Sequence, residues 1–229
     1  METIEYHKMR SLESENWWYL ARIDLIQHLL SKYAPHFDSI LDIGCGTGSI
    51  LEKYPSKKCV GVEQNPIAIQ YAKEKGLTIQ PSLEKVHGTF DVVLMMDVLE
   101  HVKEDHAFLK KALEHVNENG ILVITVPAFQ WMWSTHDDLV HHVRRYNKKM
   151  VKEMIAASGG KCVHASYWNA SFFLPAIVKK KVFSSDESDL GPVHPVINST
   201  ALSVLKMENR FSSNVPLPLG TSVYAIVKK

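Results

Sequence analysis

The stretch that most constrains the fold is Ile40-Leu41-Asp42-Ile43-Gly44-Cys45-Gly46-Thr47-Gly48. A short apolar run leads straight into a turn with glycine at every second position. Glycine is what a backbone needs to reverse sharply and to let a ligand approach with no Cβ in the way. A second apolar run, Cys59-Val60-Gly61-Val62, follows and is closed by the acid Glu63. Strand, glycine turn, helix, strand and terminal carboxylate describe a βαβ unit of the kind that wraps a nucleoside.

The pattern continues on both sides of this unit. From 15 to 33 the apolar residues Trp18, Ile23, Ile26, Leu29 and Leu30 recur at roughly helical spacing, and Pro35 stops that helix. One helix is expected directly after the glycine turn. The next opens on Pro66, where a missing N–H costs nothing, and closes at Gly76. Thr78-Ile79-Gln80 reads as a short strand. The runs 90–96 and 121–126 are almost wholly apolar, as strands buried on both faces of a parallel sheet are. Between them a helix over 104–116 is expected to end at Asn119-Gly120. Beyond lie a loop at 128–146, a helix at 147–158, a strand at 161–167, a mixed segment at 170–220 and a last strand at 222–227. Strand–helix alternation at this rhythm predicts an α/β fold with a doubly wound, mostly parallel sheet.

Composition narrows the function. The chain has 229 residues, enough for one sizeable α/β domain. With 26 basic against 25 acidic residues the net charge is +1, so no global field favours nucleic acid, and none is expected as a partner. The three cysteines, Cys45, Cys59 and Cys162, form no CxxC pair, which argues against a disulfide framework or a zinc knuckle. The first residues lack the basic and apolar regions of a signal peptide, and no apolar run approaches the roughly 18 residues that span a bilayer. The expectation is a soluble, cytoplasmic protein.

A family resemblance rests on three blocks taken together: Asp42-Ile43-Gly44-Cys45-Gly46-Thr47-Gly48, Glu63, and Asp97-Val98-Leu99-Glu100-His101-Val102. With Asn119-Gly120 and the apolar run through Pro127, they resemble the class I S-adenosylmethionine-dependent methyltransferases. A nicotinamide-dependent dehydrogenase is the nearest rival. Its GxGxxG spacing is absent here, and the block from Asp97 to Val102 has no role in it. The resemblance implies a Rossmann-like, seven-stranded sheet with an antiparallel last strand, S-adenosylmethionine as cofactor and S-adenosylhomocysteine as product. It implies that Gly44, Cys45, Gly46 and Gly48 line the methionine and ribose, that Asp42 holds the amino group, and that Glu63 holds the ribose diol with Gln64 beside it. Many members carry an acid after the third strand that reaches the adenine amino group. Here Ser82 and Leu83 stand at that place, with Glu84 one step on, so a backbone and apolar contact from Ser82-Leu83 is expected. Met96 and Asp97 are expected under the methionine moiety, mainly by backbone. His101 either joins them or only packs against the following helix.

The acceptor side is expected in the loop after the fifth strand, because open α/β sheets bind ligands beyond the carboxyl ends of their strands. Trp133, Ser134, His136, Asp137, His142, Arg144, Arg145 and Tyr146 resemble the Trp-Ser-x-His-Asp and His-x-Arg-Arg-Tyr pattern of a methyltransferase subgroup, together with Trp17, Trp18 and Arg22. His136 or His142 as general base oriented by Asp137 is one reading, and substrate positioning by Arg144 or Arg145 is another. A purely structural ion-pair network of Asp137 and the two arginines is the plainest. A metal site built from His136, Asp137, Asp138, His141 and His142 is not expected, since the cluster lacks a helical HxxxH register.

The organisation expected is one domain: a helical lid over 1–35 carrying Trp18 and Arg22, a cofactor-binding half over 36–127 and a substrate-side half over 128–229. Its partner would be a small or carrier-linked acceptor methylated on oxygen or nitrogen, with the protein a monomer or homodimer. A protein methyltransferase and a non-catalytic cofactor-binding protein are the alternatives. The segment 172–183 joins apolar bulk to three lysines. Peripheral contact with an anionic membrane, or with a lipid-linked substrate, is one reading of it, and a core-docked helix with a solvated lysine end is the preferred one.

Overall fold

The computed structural model describes residues 3–182 and 193–229. Seven strands, β1 (Ser39–Ile43), β2 (Lys58–Val62), β3 (Thr78–Gln80), β4 (Phe90–Met96), β5 (Val116–Pro127), β6 (Lys161–Trp168) and β7 (Ser222–Lys228), form one sheet in the order β3-β2-β1-β4-β5-β7-β6. The first five are parallel, and β7 runs antiparallel to both of its neighbours. The helices are α1 (Thr3–Leu12), α2 (Trp17–Tyr33), α3 (Pro66–Glu74), α4 (Asp105–Glu114), α5 (Thr135–Leu139), α6 (Lys148–Ala157), α7 (Phe173–Val182) and α8 (Pro195–Ser212).

Side chains alternate across the sheet and so feed two cores. Leu41, Val93, Leu122 and Val227 meet Leu109 and Leu113 of α4 and Val151 and Ile155 of α6. Their strand neighbours Ile40, Val92, Val123 and Ile226 meet Leu25, Ile26 and Leu29 of α2 and Leu205 of α8. The ladder pairs Asp42 with Gly61 on one side and with Leu94 on the other. That register brings the carboxyl ends of β1, β2 and β4 to one edge, where Gly44, Glu63 and Asp97 gather.

Four elements differ from expectation. The helix after the glycine turn is reduced to a single 3-10 turn, Leu51–Lys53. Tyr54 precedes Pro55, whose ring excludes helical backbone at the residue before it. Asn119-Gly120 lies inside β5, not at a helix end, and α4 already stops at Glu114. A Cβ at Gly120 would meet the carbonyl oxygens of Phe90 and Asp91 at 3.0 and 2.9 Å, so the glycine serves an irregular step in the β4–β5 ladder. The mixed segment before β7 contains the long helix α8, started by Pro195 in its first turn.

The N-terminal region divides into two helices with different duties. α2 is a core layer, with Leu25, Ile26 and Leu29 fully buried, and only its first turns reach the cavity described below. α1 lies against the glycine turn. Glu13, just past its end, is buried and accepts from Lys75 Nζ at 2.7 Å, from Arg10 Nη1 at 3.1 Å and from the Thr47 hydroxyl.

Candidate active site

A cavity of about 1270 Å³ opens at the carboxyl edge of the sheet. Its floor is the glycine turn. The amides of Gly44 and Cys45 both donate to the Val62 carbonyl, at 2.8 and 3.1 Å, which pins the turn to the end of β2. Gly44 has φ +76°, and a Cβ there would sit 2.6 Å from Val98 Cγ2. The residue is therefore fixed as glycine by both conformation and space. Asp42, Gly44, Cys45, Gly46, Glu63, Gln64, Leu83, Met96, Asp97, His101, Trp18 and Arg22 all line the cavity.

Two expected cofactor residues do not. Gly48 turns away from the cavity; its φ is +79° and a Cβ would strike Leu77 Cδ1 at 2.3 Å, so its duty is packing against α3. Ser82 is also outside, and it hydrogen-bonds Glu84. Glu84 lines the cavity in its place, with its carboxyl held below the usual range by a bond from its own backbone amide and then by Ser82. An acid does stand after the third strand, one step past the Ser82-Leu83 pair.

The carboxylates of this wall are in unlike states. Asp42 is buried, and among the described residues its Oδ1 has no hydrogen-bond partner. Burial pushes its carboxyl up to about 7, with Arg22 opposing and Glu63 adding. Glu63 is satisfied: Oε1 accepts from the amides of Gln64 and Asn65, each at 2.8 Å, and Oε2 from the Gly46 amide at 3.0 Å. Tyr6 of α1, which the sequence reading missed, lines the cavity and donates to Glu63 at 3.4 Å. Asp97 engages by side chain as well as backbone. It sits at φ +58°, accepts from Thr125 Oγ1 at 3.0 Å and pairs with Arg22 Nη1 at 2.8 Å. The Arg22 guanidinium in turn lies 4.7 Å from the Trp18 ring centroid.

The opposite wall comes from the loop after β5. Asp137 is its anchor, fully buried behind the cavity lining. One carboxylate receives His142 Nδ1 at 2.7 Å, Arg145 Nε and Nη2 at 2.7 and 2.9 Å, and the Ser134 amide and hydroxyl at 2.8 and 3.2 Å. Burial opposes its charge, but the hydrogen bonds from His142 and Arg145 outweigh that and hold the carboxyl well below the usual carboxylate range. Ser134 and Asp137 also close a capping box on α5. An ionised Asp137 only accepts, so His142 Nδ1 carries the hydrogen between them and Nε2 is the nitrogen turned toward Glu100 and the cavity.

His136 and Arg145 line the cavity beside His142. Arg144 and Tyr146 do not. Arg144 pairs with Asp105 at 2.6 Å and with the Lys103 carbonyl at 2.7 Å, while the buried Tyr146 hydroxyl bonds Asp105 at 2.8 Å and the Leu99 carbonyl at 3.1 Å. Both pin the loop to the start of α4. The structural reading of the ion pairs thus holds for Arg144, and for Asp137 it coexists with the orientation of His142.

Glu100 lies between the two walls and was missing from the expected site. It is fully buried, lines the cavity, and among the described residues neither carboxyl oxygen has a hydrogen bond. His142 Nε2 stands 3.9 Å from its Oε1. Burial pushes this carboxyl well above the usual range, and the charge of Asp97 adds to the effect. His101, at 4.7 Å centroid distance from His142, is lowered to about 4 by burial and then by His142. Glu100, His101 and His142 each place one ligand-type atom within 4.8 Å of the others, a set the sequence reading did not assemble. Asp97 and Glu100 stand in one quoted motif, so the motif itself was the signal that could have found Glu100. Phe172, Pro175, Ala176, Lys179 and Lys180, from the segment that one reading set against a lipid-linked substrate, also line the cavity, with Asn169 and Val193, which were not singled out.

A strand edge with a glycine cradle, an orphaned buried acid and a second polar wall is a place where a nucleoside-bearing ligand can sit. The chain belongs to the methyltransferase-domain family, whose model matches residues 15–171. It is 40% identical over 101 residues to the mitochondrial ubiquinone biosynthesis O-methyltransferase of Schizosaccharomyces pombe, covering 38% of this chain and 36% of that protein. It is 27% identical over 152 residues to the ubiquinone biosynthesis O-methyltransferase of Rickettsia canadensis, covering 55% of this chain and 64% of that one. The chain thus spans less than two thirds of these relatives. An S-adenosylmethionine-dependent methyltransferase of Clostridium acetobutylicum superposes with TM-score 0.59 at 12% identity, over 91% of this chain and 90% of that chain, a likeness of fold.

Proposed function

We propose that this chain transfers a methyl group from S-adenosylmethionine to an oxygen of a small or carrier-linked acceptor, releasing S-adenosylhomocysteine. The observation that carries the reading is one cavity shared by the Asp42–Glu63 cradle and the His142–Asp137 pair. The relatives' names, which specify O-methylation, support oxygen as the methylated atom.

The residues fit the cofactor. Asp42 has an unpartnered buried oxygen suited to an ammonium group, and Arg22 supplies a cation for a carboxylate. Glu63 would exchange its bond from Gly46 for the ribose hydroxyls. S-Adenosylmethionine supplies a methyl on a positively charged sulfur, and the C–S bond breaks as the acceptor oxygen bonds the methyl carbon. His142 Nε2 takes the proton that the acceptor hydroxyl loses, and Asp137 steadies the imidazolium that results. The remaining work of the protein is alignment and exclusion of water.

Calorimetric titration with S-adenosylmethionine comes first: binding lost in Asp42→Ala and Glu63→Ala is expected, and binding retained in both removes the cofactor assignment. His142→Ala is then expected to lower kcat by roughly 10²- to 10⁴-fold with cofactor affinity unchanged. Near-normal turnover in that variant ends the general-base role. Activity that survives dialysis against a chelator is expected for proton transfer alone. Activity lost on chelation and restored by a divalent cation would assign Glu100, His101 and His142 to a metal instead.

A further inference from the structure

α7, which lines the cavity, and α8 both carry exposed apolar side chains. On α7, Leu174 and Val178 stand one turn apart, 70% and 57% exposed. On α8, Val196, Ile197, Val204, Met207 and Phe211 are all exposed and fall within an arc of about 100° at 3.6 residues per turn. The other face of α8, with Ala201, Leu205 and Asn209, is buried, and Asn209 bonds the Ala21 carbonyl of α2 at 2.9 Å. The apolar arc is thus surplus to the fold.

The charges that the two helices themselves expose are one-sided. Lys206 and Arg210 are exposed on the flank of the arc, and Lys179 and Lys180 stand at the cavity wall. Among the described residues of the two helices the one acid is Glu208, which is buried and accepts from the amides of Ala170 and Ser171 at 3.0 and 2.9 Å. The acids Asp186, Glu187 and Asp189 lie outside the described residues. The arc also adjoins the cavity. Asn198 bonds the Trp17 amide and the Glu15 carbonyl, each at 2.8 Å, which sets the start of α8 beside Trp17 and Trp18 of the cavity lining.

We infer that the outer faces of α7 and α8 dock on a membrane surface bearing anionic headgroups, with the cavity opening toward the lipid. An exposed apolar arc flanked by cations, with no exposed acid on the described faces, is the pattern of a helix lying in the bilayer interface. A second copy is the less fitting occupant, because an isologous contact would bring Lys206 and Arg210 toward their own counterparts. Resting on the methyl-transfer reading, this makes the acceptor an amphiphile whose polar head enters the cavity while its hydrocarbon stays in the bilayer.

The test is co-sedimentation of the full chain with vesicles of phosphatidylcholine alone and of phosphatidylcholine with phosphatidylglycerol, at low and high salt. Binding is expected to the anionic vesicles, weakened by salt. Lys206→Ala with Arg210→Ala is expected to weaken it about 25-fold, from roughly fivefold per cation. Met207→Ser with Phe211→Ser is expected to weaken it at least about tenfold. S-Adenosylhomocysteine affinity unchanged in both pairs verifies the fold. Vesicle binding needs no turnover, so a chain that binds vesicles but no cofactor would fail the methyl-transfer reading alone. Failure of folded wild type to sediment with anionic vesicles at low salt overturns the inference, as does binding indifferent to both variant pairs. Dimerisation in ultracentrifugation that Met207→Ser with Phe211→Ser abolishes, without vesicle binding, would assign the arc to a second copy.

Discussion

The two walls of the cavity are built by different means. The cofactor wall is a product of the backbone: the glycine turn is pinned by amides to Val62, and Glu63 is held by the amides of Gly46, Gln64 and Asn65. The acceptor wall hangs on side-chain charge, with Asp137 gathering His142, Arg145 and Ser134, and Asp105 gathering Arg144 and Tyr146. A wall made from strand ends is as rigid as the sheet. A wall made from ion pairs depends on one or two buried carboxylates and can be taken down by single substitutions. A constant donor and a changeable acceptor call for this division of labour.

The sharpest way to break the contrast is Asp137→Ala. It strands the Arg145 guanidinium and releases His142, and is expected to cost about 3 to 5 kcal/mol of stability and to abolish turnover, read by thermal unfolding and product release. If the walls are independent, the residual folded fraction still binds S-adenosylmethionine with near-normal affinity.

Next in size is Gly44→Ala on the other wall. The added Cβ meets Val98 at a residue already at φ +76°, so a loss of about 1 to 3 kcal/mol and at least tenfold weaker cofactor binding are expected. An unchanged dissociation constant would show the turn to be less rigid than drawn.

Asp42 sharpens the comparison through pH. Its carboxyl titrates near 7 in the folded protein against 3.8 for the free side chain, chiefly through burial. The folded state favours the neutral form, so the stability this group confers is complete below about pH 4 and is lost as pH rises through 7. The ligand-free protein is therefore expected to melt at a lower temperature at pH 8 than at pH 5.5, and Asp42→Asn is expected to flatten that slope. Cofactor affinity should run the opposite way, rising between pH 6 and 8 as the carboxylate forms.

Tyr146→Phe is the smallest. It removes one hydroxyl shared between Asp105 and the Leu99 carbonyl, for about 1 kcal/mol, and leaves cofactor affinity as it was. A large loss of kcat at unchanged stability would return Tyr146 to the catalytic group.

The same division governs what the sequence disclosed. Strands such as Phe90–Met96 announce themselves by apolar runs, and the cradle by glycines close together in the chain. Contacts of the acceptor wall join residues far apart: Arg144 to Asp105, and Asn169 to Thr221. Nothing in the local pattern of Arg144-Arg145 separates the arginine that faces the cavity from the one that does not. α1 was not set apart within the helical region over 1–35 because Tyr6 is its one buried apolar side chain from position 6 onward, and α8 was not seen because Ser, Thr and Asn interrupt its apolar face. Gly48 and Ser82 were placed in the site by proximity along the chain, and the direction of their atoms decides otherwise.

The insertion of β7 between β5 and β6 bears on how the chain is made. β1 to β5 can pair in the order in which they are synthesised, each strand finding neighbours already present. β6 cannot, because its sheet neighbour is β7, and both α7 and α8 are made in between. A growing chain therefore holds β6 and its apolar Tyr167 and Trp168 unpaired until β7 arrives, a long-range closure of the kind that folds slowly. The glycine cradle and the loop anchored on Asp137 are made before β7 arrives, and the β6–β7 pair is the last part of the sheet to close.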